Sequence, residues 1–272
     1  DSRGIPTVEA EVFLEDGSSA SAIVPSGAST GKHEAFELRD LENKEYLGKS
    51  VLNSVKNING TISKNLKNFD IFDQRKLDNA LIDLDGTKQK NKLGANSILA
   101  VSIATCKLAA ISKKISLFKY LGGNTNNQMP LPLMNIINGG AHANNSLRIQ
   151  EFMIRPERPK TFSESIRICF LVIQKLKSLI NNKKLSTTVG DEGGFAPSLN
   201  TNEEAIEFII EAIEKSGFKI GEEVSICLDV AANELYKESK YSIQSSKFES
   251  IENTIDYYLD LIDKYPIKSI ED

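Results

Sequence analysis

Histidine and cysteine are scarce in this chain, and positive charge is not in excess. Of 272 residues, two are histidine and three are cysteine; 33 lysines and arginines stand against 37 acids, for a net charge of −4. That balance leaves no basic footprint for nucleic acid as a main partner. Cys106, Cys169 and Cys227 are isolated, with no CxxC pair, and read as buried reduced thiols in a reducing cytoplasm. No apolar run is long enough to span a bilayer. The nearest, Gly94 to Ala110, is interrupted by Asn96, Ser97, Ser102, Thr105 and Lys107. No signal peptide is visible, but the chain opens on Asp1 rather than Met, so this says nothing about a leader. Internal repeats and low-complexity tracts are also missing.

What is present suits a globular protein. The chain is 40% hydrophobic and 26% charged, enough apolar content for an ordinary core and length for two domains. Residues 7–14 and 18–24 read as strands of a hairpin around Glu15-Asp16-Gly17. The segment 25–48 is loop-like, and helical patterns follow near 49–66, 73–82 and 94–112. The turn-rich run Gly122-Gly123-Asn124-Thr125-Asn126-Asn127-Gln128 marks a boundary between domains 1–125 and 130–272. Beyond it, Leu131–Ile137 and Glu151–Arg155 read as strands. Thr161-x-x-Glu164 and Thr201-x-x-Glu204 are capping-box patterns. The first opens a helix through about Leu179. The second opens one with Ile206, Ile209, Ile210 and Ile213 on one stripe and Gly217 as its stop. Ser225–Asp229 reads as a buried strand, Ile251, Ile255, Leu259 and Ile262 mark a helix, and Ile267–Glu271 reads as a final strand.

Strand, helix, strand over 225–271 predicts a parallel βαβ unit. Asp229 and Glu271 close its two strands, the end at which a βα barrel carries its chemistry. Strands about 4.8 Å apart bring two such carboxylates within reach of one cation. A complete barrel takes about 250 residues, more than 130–272 supplies, so the chain reads as an internal fragment of a longer protein.

Two adjacent acids between glycines stand out in Val189-Gly190-Asp191-Glu192-Gly193-Gly194-Phe195-Ala196-Pro197. Glycine permits positive φ and close backbone approach, and solubility explains such a turn poorly. Other acidic or His-bearing segments accompany it: Asn138-Gly139-Gly140-Ala141-His142-Ala143-Asn144, Gln150-Glu151-Phe152-Met153-Ile154, Leu228-Asp229-Val230-Ala231-Ala232-Asn233-Glu234 and Ser269-Ile270-Glu271-Asp272. With Asp1-Ser2-Arg3-Gly4, Pro25-Ser26-Gly27-Ala28-Ser29-Thr30-Gly31 and Gly94-Ala95-Asn96-Ser97-Ile98-Leu99-Ala100-Val101-Ser102, this set closely resembles the enolase family from residue 1 to residue 272.

The resemblance implies an α/β protein: an N-terminal α+β domain followed by the first part of an incomplete enolase-type, TIM-like α/β barrel. It implies a glycolytic lyase that interconverts 2-phosphoglycerate and phosphoenolpyruvate with Mg²⁺. By the same resemblance Glu192 assists loss of the hydroxyl and Glu151 is a second catalytic acid. His142 and Gln150 contact substrate. Asp229 and Glu271 are two of three carboxylate ligands of the tighter metal site, and Ser29 joins a second Mg²⁺. A homo-oligomer in the cytoplasm, with a secondary cell-surface or secreted pool, is also implied. The family's lysine base, a second lysine, a phosphate-binding Arg-Ser pair, another histidine and the third metal ligand find no match in residues 1–272, so this stretch by itself is expected to be inactive. Ile5, Asn233, Cys169-Phe170-Leu171 and Gln174 depart from the family pattern, none at a site position. Two other readings fit parts of the set: an enolase-superfamily enzyme for a different carboxylate, and a non-catalytic or host-protein-binding homologue. The Ser26–Gly31 and His142 segments oppose the first. Retention of Glu151, Glu192, Asp229 and Glu271 opposes degeneracy.

Overall fold

A computed structural model describes residues 1–27, 31–123, 128–190 and 193–272. The chain divides into two units, Asp1–Asn127 and Gln128–Asp272.

The first unit opens with the expected hairpin, β1 (Val8–Phe13) against β2 (Ser19–Val24), antiparallel. Helix α1 (Leu52–Asn57) runs through a π-helical turn (Ile58–Ile62) into α2 (Ser63–Leu66). The periodicity over 49–66 announces the helix but not the wider turn. Helix α3 (Gln74–Asp85) is capped by Asp73, which accepts from the Lys76 N–H, and stops at Gly86 with φ of 71°. Helix α4 (Ala95–Ser112) follows, then α5 (Leu117–Gly122). By length and composition alone α4 passes as a membrane span, yet 61% of it is buried inside the protein, as in a core helix. Its Ala100 and Val101 pack with Val8 and Ala10 of the hairpin and Leu77 and Leu81 of α3.

Asp85 locks the turn between α3 and α4. It is 2% exposed, and its carboxylate accepts from the N–H groups of Thr87 (3.0 Å), Lys92 (3.0 Å) and Leu93 (2.7 Å) and from the Thr87 hydroxyl. Burial works to raise its pKa, but these hydrogen bonds outweigh it and hold the pKa below the usual carboxylate value. A depressed pKa contributes stability above the unfolded value of about 4 and loses it as pH falls through the folded value. Asp85→Asn is therefore expected to cost about 1–3 kcal/mol at neutral pH. In urea titrations its deficit against wild type should shrink below pH 4 or so; a deficit independent of pH would contradict the clamp.

The second unit is a four-stranded sheet with helices on one face. Its strands are β3 (Met134–Asn138), β4 (Glu151–Pro156), β5 (Val224–Asp229) and β8 (Ile267–Glu271), adjacent in that order. The β3–β4 and β4–β5 pairs are antiparallel, and β5–β8 is parallel, as the βαβ reading predicts. Two-residue strands β6 (Tyr236–Lys237) and β7 (Lys240–Tyr241) form a small hairpin after β5. Helices α6 (Phe162–Asn182) and α7 (Asn202–Lys215) begin at Thr161 and Thr201, whose side chains accept from the N–H groups of Glu164 and Glu204. Gly217, with φ of 85°, follows α7 as expected. Helix α8 (Ile251–Lys264) connects to β8.

Strand alternation sorts the sheet's two faces. Phe152, Ile154, Val224, Ile226 and Leu228 pack with Ile168, Val172, Leu176, Ile206 and Ile209 of the helices. Glu151, Met153, Cys227 and Asp229 alternate with them and take the opposite face. A register shift between β5 and β8 pairs Ile226 with Ile267 but Cys227 with Ser269. It lets Ile267 and Ile270, three apart, both join the helix-side core. The α8 stripe is a correction to its sequence pattern: Ile251, Ile255, Leu259 and Ile262 are all exposed, and the buried positions are Thr254, Tyr257 and Leu261. The helix is where periodicity puts it, but another face meets the core.

Candidate active site

Sheet register gathers the acids. Asn138 pairs with Glu151, Glu151 with Asp229, and Asp229 with Glu271, one row across four strands. Asp229 and Glu271 reach it by closing parallel strands. Glu151 reaches it by opening an antiparallel one. In-register residues of neighbouring strands point to the same face, here the one away from the helices.

The loop after β3 adds His142, the last residue of a short 3₁₀ turn (Gly140–His142). It is 6% exposed, and its Nδ1 lies 3.4 Å from Glu151 Oε1. Among the described residues neither ring nitrogen has a hydrogen-bond partner, and neither does the buried Oε1 of Gln150. Buried polar atoms without partners are uncommon in folded proteins and mark positions where a ligand can complete the bonding.

Asp229 is half-buried, and its Oδ1 accepts from the Ala231 N–H at 3.1 Å. Burial raises its pKa and the nearby Asp272 charge adds to this; the Ala231 N–H, the Gln150 side chain and His142 oppose it without cancelling it. Ala231 has φ of 49°, a left-handed conformation uncommon for a residue with a Cβ. Backbone of this kind clusters at ligand sites. A cleft of about 230 Å³ adjoins the row, lined in part by Gly140, Arg148, Gln150, Ala231 and Glu234.

Glu192 and Ser29 lie outside the described residues, so the structure does not place them with this group. Gly190, just before the acid pair, is hemmed in by its neighbours. A Cβ on Gly190 would collide with the Asn138 amide and the His142 carbonyl. Gly193 has φ of 85°. Phe195 exchanges backbone hydrogen bonds with β3, donating to Ile136 O (2.9 Å) and accepting from Asn138 N (2.8 Å). Sequence reasoning gave Asn138 no role, yet it is fully buried and donates to Gly194 O at 3.2 Å. An asparagine directly after the apolar pair Ile136-Ile137 was the available signal.

The donor set suits a hard divalent cation. Among the described residues no three His, Cys, Asp or Glu side chains converge to hold a metal, but Asp229 and Glu271 stand in register. Mg²⁺ is commonly held by one or two carboxylates, with waters and substrate oxygens completing its shell.

Acids gathered at one end of a partly parallel sheet, with helices on its other face, have the architecture of part of an α/β barrel. The comparisons agree. Residues 1–121 match the family model "Enolase, N-terminal domain", and residues 126–272 match "Enolase, C-terminal TIM barrel domain". The chain belongs to the enolase family. Over all of its 272 residues it is 61% identical to an enolase of Pelagibacter ubique (strain HTCC1062), and it spans 65% of that relative's length.

Proposed function

We propose that the protein carrying this chain is a phosphopyruvate hydratase, dehydrating 2-phospho-D-glycerate reversibly to phosphoenolpyruvate with Mg²⁺. The observation that carries this reading is the in-register row Glu151–Asp229–Glu271 in a member of the enolase family.

In this reading Asp229 and Glu271 hold the cation, and Ser29 has the family-implied role at a second one. When bound, Mg²⁺ supplies positive charge opposite the negative charge that develops on the substrate carboxylate. The chain's own groups bind, orient and move protons. Gln150 Oε1 is a buried acceptor free to meet a substrate donor, and His142 offers two ring nitrogens from the loop after β3. Glu151, whose Oε1 lies 3.4 Å from His142 Nδ1, has the family-implied role of a second catalytic acid. Glu192 delivers a proton to the departing hydroxyl, so the leaving group is water rather than hydroxide. The reading extends to a homo-oligomeric, cytoplasmic enzyme; light scattering on the purified protein and cell fractionation test those two points.

The direct test follows phosphoenolpyruvate absorbance with the full-length protein and 2-phosphoglycerate. Product should form with Mg²⁺ and cease with chelator. A folded protein that makes no product, or one indifferent to chelator, would refute the reading.

A further inference from the structure

Asn202, the first residue of α7, is 1% exposed and uses its whole hydrogen-bonding capacity. Its Oδ1 accepts from the N–H groups of Arg148 (3.1 Å) and Ile149 (3.3 Å). Its Nδ2 donates to Ile243 O (2.9 Å) and to the Tyr257 hydroxyl (3.1 Å). Two donors and two lone pairs are all that a side-chain amide has. The partners lie on three separate segments. Arg148 and Ile149 immediately precede Gln150 and Glu151. Ile243 follows the β6–β7 hairpin that leads away from Asp229. Tyr257 lies on α8, which delivers β8 and Glu271. Arg148 reinforces the first link, donating from Nε to Ser242 O (2.9 Å) and from Nη2 to Ser242 Oγ (2.7 Å).

We infer that Asn202 is a positioning residue for the candidate active site: one buried amide that fixes the Arg148–Ile149 backbone and so the placement of Gln150, which lines the cleft, and of Glu151 in the row beside Asp229. The inference rests on the reading of Gln150 and Glu151 as site residues. Helix capping does not require this amide, because Thr201 already caps α7. Nor does general packing, since an apolar residue would fill the same core. A side chain that ties three segments at one point turns a small displacement of any one into a displacement of the site, and groups that orient site residues typically carry about 10–100-fold of activity.

The test uses the full-length protein, with Asn202→Ala and the milder Tyr257→Phe, which keeps the ring and removes one acceptor. Ile213→Ala, farther along α7, is the stability control. Two readouts are taken below the melting temperatures: hydrogen exchange at the Arg148 and Ile149 amides, and steady-state turnover of 2-phosphoglycerate. Asn202→Ala should speed exchange there about tenfold, as loss of one or two ordinary hydrogen bonds does. It should lower kcat by about 10–100-fold with a smaller change in KM. Tyr257→Phe should move both readouts the same way by less, and Ile213→Ala should move neither beyond its effect on global stability. If Asn202→Ala does not fold, Tyr257→Phe decides. Faster exchange with unchanged kcat would make Asn202 merely structural and overturn the inference, as would unchanged exchange. A wild-type protein without turnover would instead refute the functional reading, and unchanged exchange would overturn the clamp even then.

Discussion

Replacing Glu192 with glutamine in the full-length protein is expected to lower kcat by about 10²–10⁴-fold, the usual contribution of a general acid, with KM nearly unchanged. Glutamine keeps the size and hydrogen-bonding shape of the side chain but has no proton to give. A loss confined to kcat therefore separates proton delivery from binding. Gly190 and Gly193, which flank the acid pair, stay intact in this variant, so the turn's backbone requirements are met. Glu192→Asp should recover part of the rate, because the acid is restored at a shorter reach. Near-normal turnover in Glu192→Gln, or a rise in KM at constant kcat, would reassign Glu192 to holding substrate or loop.

Asp229→Asn is expected to weaken Mg²⁺ binding by more than the roughly 10–100-fold that loss of a group behind a metal ligand costs. It should also raise the thermal stability of the metal-free protein. Both effects have one cause. Asp229 is half-buried beside the Asp272 charge, an arrangement that costs stability until a cation compensates it. Asparagine retains an oxygen for the Ala231 N–H and removes the charge. Calorimetric Mg²⁺ titration and melting with chelator present should thus move in opposite directions. Unchanged Mg²⁺ affinity would remove Asp229 from the metal site. A fall in metal-free stability would show that its carboxylate serves the fold and not a ligand.

The amino-acid sequence by itself determined the local elements and the identity of the chemical groups. Thr161 and Thr201 set helix starts because their side chains satisfy N–H groups that a helix leaves open, and Gly86 and Gly217 take left-handed turns that other residues resist. The motifs around His142, Glu151, Asp229 and Glu271 carried the family resemblance before any residue was placed in space. Strand-end position marked Asp229 and Glu271, since a parallel βαβ unit sends both strand ends the same way. Tertiary structure decided the rest. Glu151 begins its strand and joins the row only because β4 runs antiparallel to β5, a direction that alternation within one strand does not encode. The register shift at β8 depends on pairing with β5: strict alternation from Glu271 would have sent Ile267 to the acid face. The Ile251–Ile262 stripe marked α8 as a helix, but which face turns inward depends on Tyr257 and Leu261 meeting a core built by distant residues. In the sequence Asn202 is only the residue after the Thr201 cap. Its four hydrogen bonds span separations of 53 to 55 residues in sequence at three partners and 41 at the fourth, and contacts at such range exist only once the sheet and helices have assembled.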